Sequence, residues 1–394
     1  MFIKIILNEP YPHGKACTNR IHYYAKGLIE LNEAVEIIIP RAKRNTEKEL
    51  LNREIKGVFE NVPFIYTPGI TVRTKSKLMN KFYDIKGLWR ACYYFIRNRK
   101  YTDIILLVSN KPTHILVFKF ISRIIKAKYL IEKSEIPFKL KKINYLKQLY
   151  IRNIFKLFDG FIVISNYLKN YFAEIVPYKA KIIIIPILVN SEEFLNHKNL
   201  PAVYTRNIVY TGTLDENKDG ALSLIKAFAI VLERIPDAKL IMIGSANHNS
   251  DYQKLTKLIE HLNLQNNVIL TGYVSRKVMI DYLMNSTALA LAKPDNQQSE
   301  ACFPTKLGEY LMTGKPVVVT RVGEIPIYLK NEVTALIAEP GNNHDFAKKL
   351  IRALTNEQDG QIIGSNGKKL AIDEFDYKKN TERLRDFIHS YLSH

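Results

Sequence analysis

Short apolar runs of four to six residues alternate along the whole chain with longer stretches in which apolar residues recur every three or four positions. Runs of the first kind suit buried strands, and stretches of the second kind suit helices that bury one face. In the first half the pattern predicts strands at 2–7, 35–40, 62–66, 103–108, 128–132, 160–164 and 181–186. In the second half it predicts strands at 207–211, 239–244, 267–271, 288–292, 316–320 and 334–338. Helical spacing falls between them, for example at 16–31, 220–234, 251–262 and 345–354, with a last helix over 376–392. Such alternation predicts the α/β class, with parallel sheets covered by helices on both faces.

The pattern breaks once, between Pro186 and Arg206, where Pro186, Asn190, Asn199 and Pro201 interrupt any periodicity. A chain of 394 residues suits two domains. The expected architecture is therefore two doubly wound Rossmann-like domains facing across a cleft. They span residues 1–190 and 207–375, joined by a linker at 191–206, and a helix in 376–394 is able to pack back on the first. Ligands of such sheets bind beyond the carboxyl ends of the strands.

Composition narrows the function classes. Cys17, Cys92 and Cys302 are far apart and form no CxxC pair, which argues against a disulfide framework or a zinc site. The first apolar run is too short for a signal peptide and is interrupted by Lys4. No run approaches the roughly 20 apolar residues that span a bilayer, so a cytoplasmic protein is expected. The charge is uneven. Residues 1–190 carry 34 Lys and Arg against 14 Asp and Glu, which is the whole net charge of +20, whereas 24 of each cancel in 191–394. A basic half beside a neutral half predicts that only the first faces an anionic partner. No nucleic-acid-binding motif accompanies the charge, so an anionic membrane leaflet or lipid-linked substrate is expected rather than nucleic acid. The alternative is a merely solubilising surface.

Two segments carry chemistry. In 303–316, Pro304 suits a first helical turn, and Gly314 with Pro316 stops the helix. Lys306 and Glu309 then share one face. A helix start favours a phosphate, a lysine adds charge, and a carboxylate can accept two ribose hydroxyls. The plainer reading is a surface ion pair between the two. In 210–220, Gly212 follows a strand and Lys218 precedes the next helix, a phosphate-site pattern or a simple tight turn.

These segments, with Gly323-Glu324-Ile325-Pro326 and Glu339-Pro340-Gly341, resemble the C-terminal half of family 4 glycosyltransferases of the GT-B fold, from about Asn207 to Leu354 in order and spacing. The segment from Pro12 to Ala16 resembles the family's glycine loop, and Phe161–Ser165 its strand before the interdomain passage. The resemblance implies a retaining, metal-independent transferase. It would use a UDP- or GDP-linked sugar as substrate, need no other cofactor, and act on a glycan or lipid-linked acceptor in cell-surface polysaccharide synthesis. It implies that Glu309 is the second glutamate of E-x7-E and holds the ribose, and that Lys218 neutralises the diphosphate. Gly212, Thr213, Pro304, Thr305 and Lys306 would surround the phosphates, with Gly14 approaching from the other domain.

The chain departs from the family pattern at the donor sugar. Ala301 stands where the first glutamate belongs, with Glu300 one position off and Phe303 close by. Thr213 replaces the usual arginine, and no histidine matches the family's sugar contact. Glu132 and Glu135 are the carboxylates left as catalytic candidates. A nucleotide-sugar epimerase on the same fold and a non-enzymatic basic binder are the rival classes. The basic clusters Arg41–Arg44, Arg73–Lys77 and Lys139–Lys142, the last followed by the apolar stretch Ile143–Tyr150, predict peripheral attachment to the inner face of a membrane.

Overall fold

The computed structural model describes residues 1–43, 52–136, 150–151, 153–177, 180–195, 205–246 and 248–392. The basic segment Lys139–Lys142 and the apolar stretch as far as Leu149 lie outside them. The chain forms two compact units, one of Met1–Pro186 with Tyr377–His394 and the other of Ile187–Asp376.

The first unit holds β1 (Phe2–Leu7), β2 (Ala34–Ile39), β3 (Lys56–Phe59), β4 (Val62–Tyr66), β5 (Ile104–Val108), β6 (Lys128–Lys133), β7 (Gly160–Val163) and β8 (Lys181–Ile184). They form one sheet in the order β3-β4-β2-β1-β5-β6-β7-β8. All neighbours are parallel except β3, which runs antiparallel to β4 at the edge. The central strands are mostly apolar, with Lys4 of β1 paired to Glu36 of β2 at 2.6 Å, and every residue of β5 is buried. That is what a parallel sheet covered on both sides requires. Each fully buried Ile, Leu or Val side chain contributes about 1.5–3 kcal/mol.

The second unit holds β9 (Asn207–Thr211), β10 (Lys239–Ile243), β11 (Val268–Gly272), β12 (Ala288–Leu291), β13 (Val317–Thr320) and β14 (Leu336–Ala338), all parallel, in the order β11-β10-β9-β12-β13-β14. Strand order reverses between β1 and β5 in one sheet and between β9 and β12 in the other. Both sheets are therefore doubly wound, as the alternation predicts, and each has a switch point where loops diverge and leave a crevice.

The expected linker differs from what is observed. The first unit ends at Pro186, and Ser191–Leu195 is a short helix of the second unit. Its entry is tied to the unit's exit: Val189 N donates to Phe375 O at 2.9 Å, and Ser191 Oγ to Asp376 Oδ2 at 2.5 Å. The final helix, Tyr377–His389, belongs to the first unit. There Tyr377 donates to Glu30 (2.9 Å) and His389 Nε2 meets Glu33 (2.6 Å).

Candidate functional site

The site builds up around the switch point of the second sheet. β9 ends at Thr211, and the chain leaves it through Gly212 at φ +147°, a backbone region that L side chains rarely adopt. A Cβ at Gly212 would collide with the ammonium of Lys306, so only glycine leaves that ammonium its place. Lys306 Nζ lies 2.8 Å from Asp219 Oδ2 and 4.8 Å from the centre of the Tyr210 ring. Asp219 is buried at the end of the helical turn Glu216–Asp219, which Asp215 caps by accepting from Lys218 N (2.8 Å). Tyr210 OH also reaches Asp219 Oδ2, at 3.1 Å.

A second lysine joins from the other side of the switch point. Lys293, two residues beyond β12, places Nζ 3.8 Å from Asp219 Oδ1 and donates to Lys218 O at 2.7 Å. Burial alone would push the Asp219 carboxyl up, but Lys306 and Lys293 outweigh it and hold the group below the usual carboxylate range. Lys218 adds a third positive charge in the same field. Three ammoniums thus act on the Asp219 carboxylate at the strand ends, where positive groups can meet a phosphate chain.

Glu309 stands on the helix Lys306–Met312, one face along from Lys306. The two do not pair, which excludes the plain ion-pair reading. Glu309 Oε1 instead meets Arg276 Nη1, and Arg276 in turn is held by Glu193 at 2.7 and 3.0 Å. Glu193 thus fixes Arg276, which fixes the carboxylate. A cavity of ≈ 350 Å³ opens at the ends of β9, β10 and β11, lined by Leu214, Gly244, Ser245, His248, Tyr252 and Gly272 among others.

The other expected residues fare unequally. Pro304 O accepts from Leu307 N at 2.9 Å, and Thr305 caps the helix without a side-chain bond. Thr213 contributes its carbonyl, which accepts from Tyr210 OH at 2.6 Å. The residues expected at the donor sugar make internal contacts. Phe303 is buried against Tyr328 and Phe375, so its ring is a packing group. Ala301 is buried as well, and Glu300 accepts from Gly323 N at 3.3 Å, bracing a neighbouring turn.

In the first unit, Gly14 lies in the loop after β1, where a Cβ would collide with Thr18 and crowd Pro10 O at 2.8 Å. Glu132, at the end of β6, is not an open carboxylate as expected of a catalytic group. It is buried and accepts from Arg20 Nε at 2.9 Å, and Ser134 Oγ donates to it at 2.5 Å. Beside it, burial draws the Lys133 ammonium down to about 8 despite the attraction of Glu132. Glu135 is exposed. Among the described residues, no group of three His, Cys, Asp or Glu side chains could hold a metal ion.

Sequence reasoning missed Asp219, Lys293, Arg276 and Glu193. A lysine just past a strand end, as at Lys293, and a Ser-Arg pair opening a helix, as at Arg276, were the available signals.

Residues 192–370, which lie within the second unit, match the family model described as Glycosyl transferases group 1. The chain is 23% identical over 169 residues to N-acetyl-alpha-D-glucosaminyl L-malate synthase of Bacillus anthracis, covering 43% of this chain and 42% of that one. It is 27% identical over 191 residues to the capsular polysaccharide biosynthesis glycosyltransferase CapM of Staphylococcus aureus, covering 47% and 46%. The chain thus spans about half the length, or less, of these curated relatives. Among solved structures, Anabaena HepE in complex with UDP and glucose superimposes with a TM-score of 0.73 at 16% identity, over 99% of this chain and 100% of that one. At that identity the likeness is one of fold, and the fold is GT-B.

Proposed function

We propose that the protein is a family 4-type glycosyltransferase. The second unit would hold a UDP- or GDP-linked sugar, and the sugar would pass to a glycan or lipid-linked acceptor with retention and without a metal. The observation that carries this reading is the cluster of Lys306, Lys293 and Lys218 about Asp219, beneath Gly212, with Lys306 on the same short helix as Glu309. The leaving diphosphate gains charge as the glycosidic bond breaks, and fixed ammoniums stabilise that charge without reorganising. They supply the compensation that a divalent cation provides elsewhere. The group 1 domain over these same residues, and the transferase names of the relatives, support the reading.

Glu309→Gln tests the donor site. A ribose held by a carboxylate loses a charged acceptor worth about 1.5–3 kcal/mol, so UDP or GDP should bind roughly ten- to a hundredfold more weakly by calorimetric titration. Arg276 keeps Glu193 as partner, so the melting temperature should stay. Unchanged nucleotide affinity would remove Glu309 from the site.

Peripheral attachment to an anionic membrane belongs to the same proposal, and one helix supports it. In Lys77–Arg97 the buried positions Asn80, Gly87, Ala91 and Phe95 share one face. At about 100° per residue, the opposite face carries Leu78, Phe82, Ile85, Trp89, Tyr93 and Ile96. These are exposed, Trp89 by 66% and Ile85 by 71%. Lys81 flanks this stripe on one side and Lys86, Arg90 and Arg97 on the other. The packed neighbour Pro112–Ile125 exposes Leu116, Phe120 and Ile124 at successive turns. An apolar face edged with cations fits an interfacial helix on anionic lipid, each cation adding about 1 kcal/mol near the surface. No described helix is long and apolar enough to cross a membrane.

The full chain should therefore co-sediment with phosphatidylglycerol vesicles and not with phosphatidylcholine, and high salt should release it. Phe82→Glu with Trp89→Glu should abolish binding without changing the melt. Equal binding to both vesicles, or a dimer in solution that the double variant dissolves, would overturn the membrane reading.

A further inference from the structure

At the carboxyl ends of β2, β4 and β5, four cations gather around two carboxylates. Arg41 follows β2, and its Nε lies 3.1 and 3.0 Å from the Asp84 oxygens. Arg73 follows β4, and its Nη1 lies 3.3 Å from Asp84 Oδ2. A β-bridge between Lys43 and Val72, with Arg73 N donating to Lys43 O (3.3 Å), fixes the two segments side by side. Lys43 Nζ pairs with Glu9 Oε1 at 2.9 Å, after β1. The fourth cation, Lys111, caps the 14-residue helix Pro112–Ile125, adding its charge at the positive end of the dipole.

Lys111 is the telling member. It is half-buried, and among the described residues no carboxylate pairs with its ammonium. Burial draws the group down to about 8, and Arg41, Lys43 and Arg73 repel it further while Asp84 opposes them. His114, the neighbouring ring, is pushed down to about 4 by burial and by Lys111, so it stays neutral and adds no charge. Among the described residues, four cations against Asp84 and Glu9 leave two positive charges uncompensated. They lie beside the β1/β5 switch point, where a doubly wound sheet takes its ligand. A positive group held without a partner destabilises the free protein, and such groups mark sites kept for a ligand.

We propose that Arg41, Lys43, Arg73 and Lys111 form an anion subsite of the first unit that takes a phosphate or diphosphate group of the acceptor. Two uncompensated charges match a phosphate dianion, and guanidiniums suit its oxygens. Asp84, which sets both guanidiniums, lies on the inner side of the helix whose outer side carries the apolar stripe. A phosphate seated there lies next to the layer in which a lipid tail would run. The assignment rests on the transferase reading only in calling the anion an acceptor group.

The test is calorimetric titration of the full chain with inorganic pyrophosphate, comparing the native protein with Lys111→Gln and Arg73→Gln. The second unit is common to all three, so a difference reports the first. Each variant should lose about tenfold in affinity at one site, the loss of one charge-assisted contact. UDP or GDP binding should be unchanged. Lys111→Gln should melt at the same temperature or higher, because a repelled charge is gone. That variant keeps the test valid if Arg73→Gln loosens its loop. The same pyrophosphate isotherm in the native protein and Lys111→Gln overturns the subsite, as does no binding at all. Dihexanoyl phosphatidic acid and inorganic phosphate separate the sources: tighter binding of the former assigns a lipid-linked phosphate, and equal binding a soluble one. If pyrophosphate binding depends on Lys111 yet no sugar is transferred, the subsite stands and the transferase reading falls.

Discussion

Replacing Glu132 with Ala is expected to destabilise the first unit by about 3–5 kcal/mol, the usual cost of leaving one half of a buried ion pair uncompensated. The Arg20 and Glu132 side chains are 1% and 3% exposed, so neither can recover water when its partner is lost. Arg20 does more than pair. Its Nη2 donates to Ile185 O at 2.6 Å and its Nη1 to Pro186 O, and its guanidinium lies 5.0 Å from the centre of the Tyr24 ring. One side chain thus ties the helix Ala16–Glu30, the end of β6 and the last residues before the second unit. Urea unfolding monitored by circular dichroism should show the first unit's transition moving to lower denaturant while the second unit's stays. Glu132→Gln should fall between, because it keeps an acceptor but not the charge. Arg20→Met with Glu132→Leu should regain much of the loss, since removing both charges removes the desolvation penalty. A catalytic Glu132 predicts the opposite pattern, with Glu132→Gln losing turnover at an unchanged midpoint. An unchanged midpoint in Glu132→Ala would sink the structural assignment.

The same residue shows where reading from sequence stops. A carboxylate at the carboxyl end of a parallel strand looks alike whether it faces a substrate or an arginine 112 residues away. Thirteen of the fourteen strands among the described residues were legible because buried parallel strands are short, nearly continuous apolar runs. The missed one, β3, is a four-residue edge strand that includes Gly57 and alternates exposed with half-buried positions. Glu309 and Lys306 were legible as neighbours on one helical face, but not their partners. Asp219 lies 87 residues from Lys306, and Arg276 lies 33 from Glu309. No local period encodes such pairings. Phe303 looked functional because it adjoins the motif, yet its ring completes an aromatic cluster with two residues far along the chain. In Lys77–Arg97 the large apolar groups Leu78, Phe82, Ile85, Trp89, Tyr93 and Ile96 are exposed while Asn80, Gly87 and Ala91 face inward, so hydrophobic periodicity alone points the helix the wrong way.

Lys306→Ala is expected to lower turnover on the order of a hundred- to a thousandfold, the range for removing one preorganised donor from a developing negative charge. The loss in stability should be much smaller, and the geometry says why. Asp219 keeps Lys293 3.8 Å from its other oxygen and the Tyr210 hydroxyl 3.1 Å away, so its charge is not orphaned when Lys306 goes. Asp219→Ala should behave in the reverse way. It leaves three lysines without their common counter-ion, so it should destabilise the second unit more than Lys306→Ala does. Gly212→Ala should mimic the lysine loss, because the added methyl occupies the position of the ammonium and strains the backbone at φ +147°. Initial rates with a UDP- or GDP-linked sugar, set beside melting curves of the same preparations, separate the two effects. Full activity in a folded Lys306→Ala would show that the ammonium serves only to neutralise Asp219, and the diphosphate would then have to be held by Lys218 and Lys293 alone.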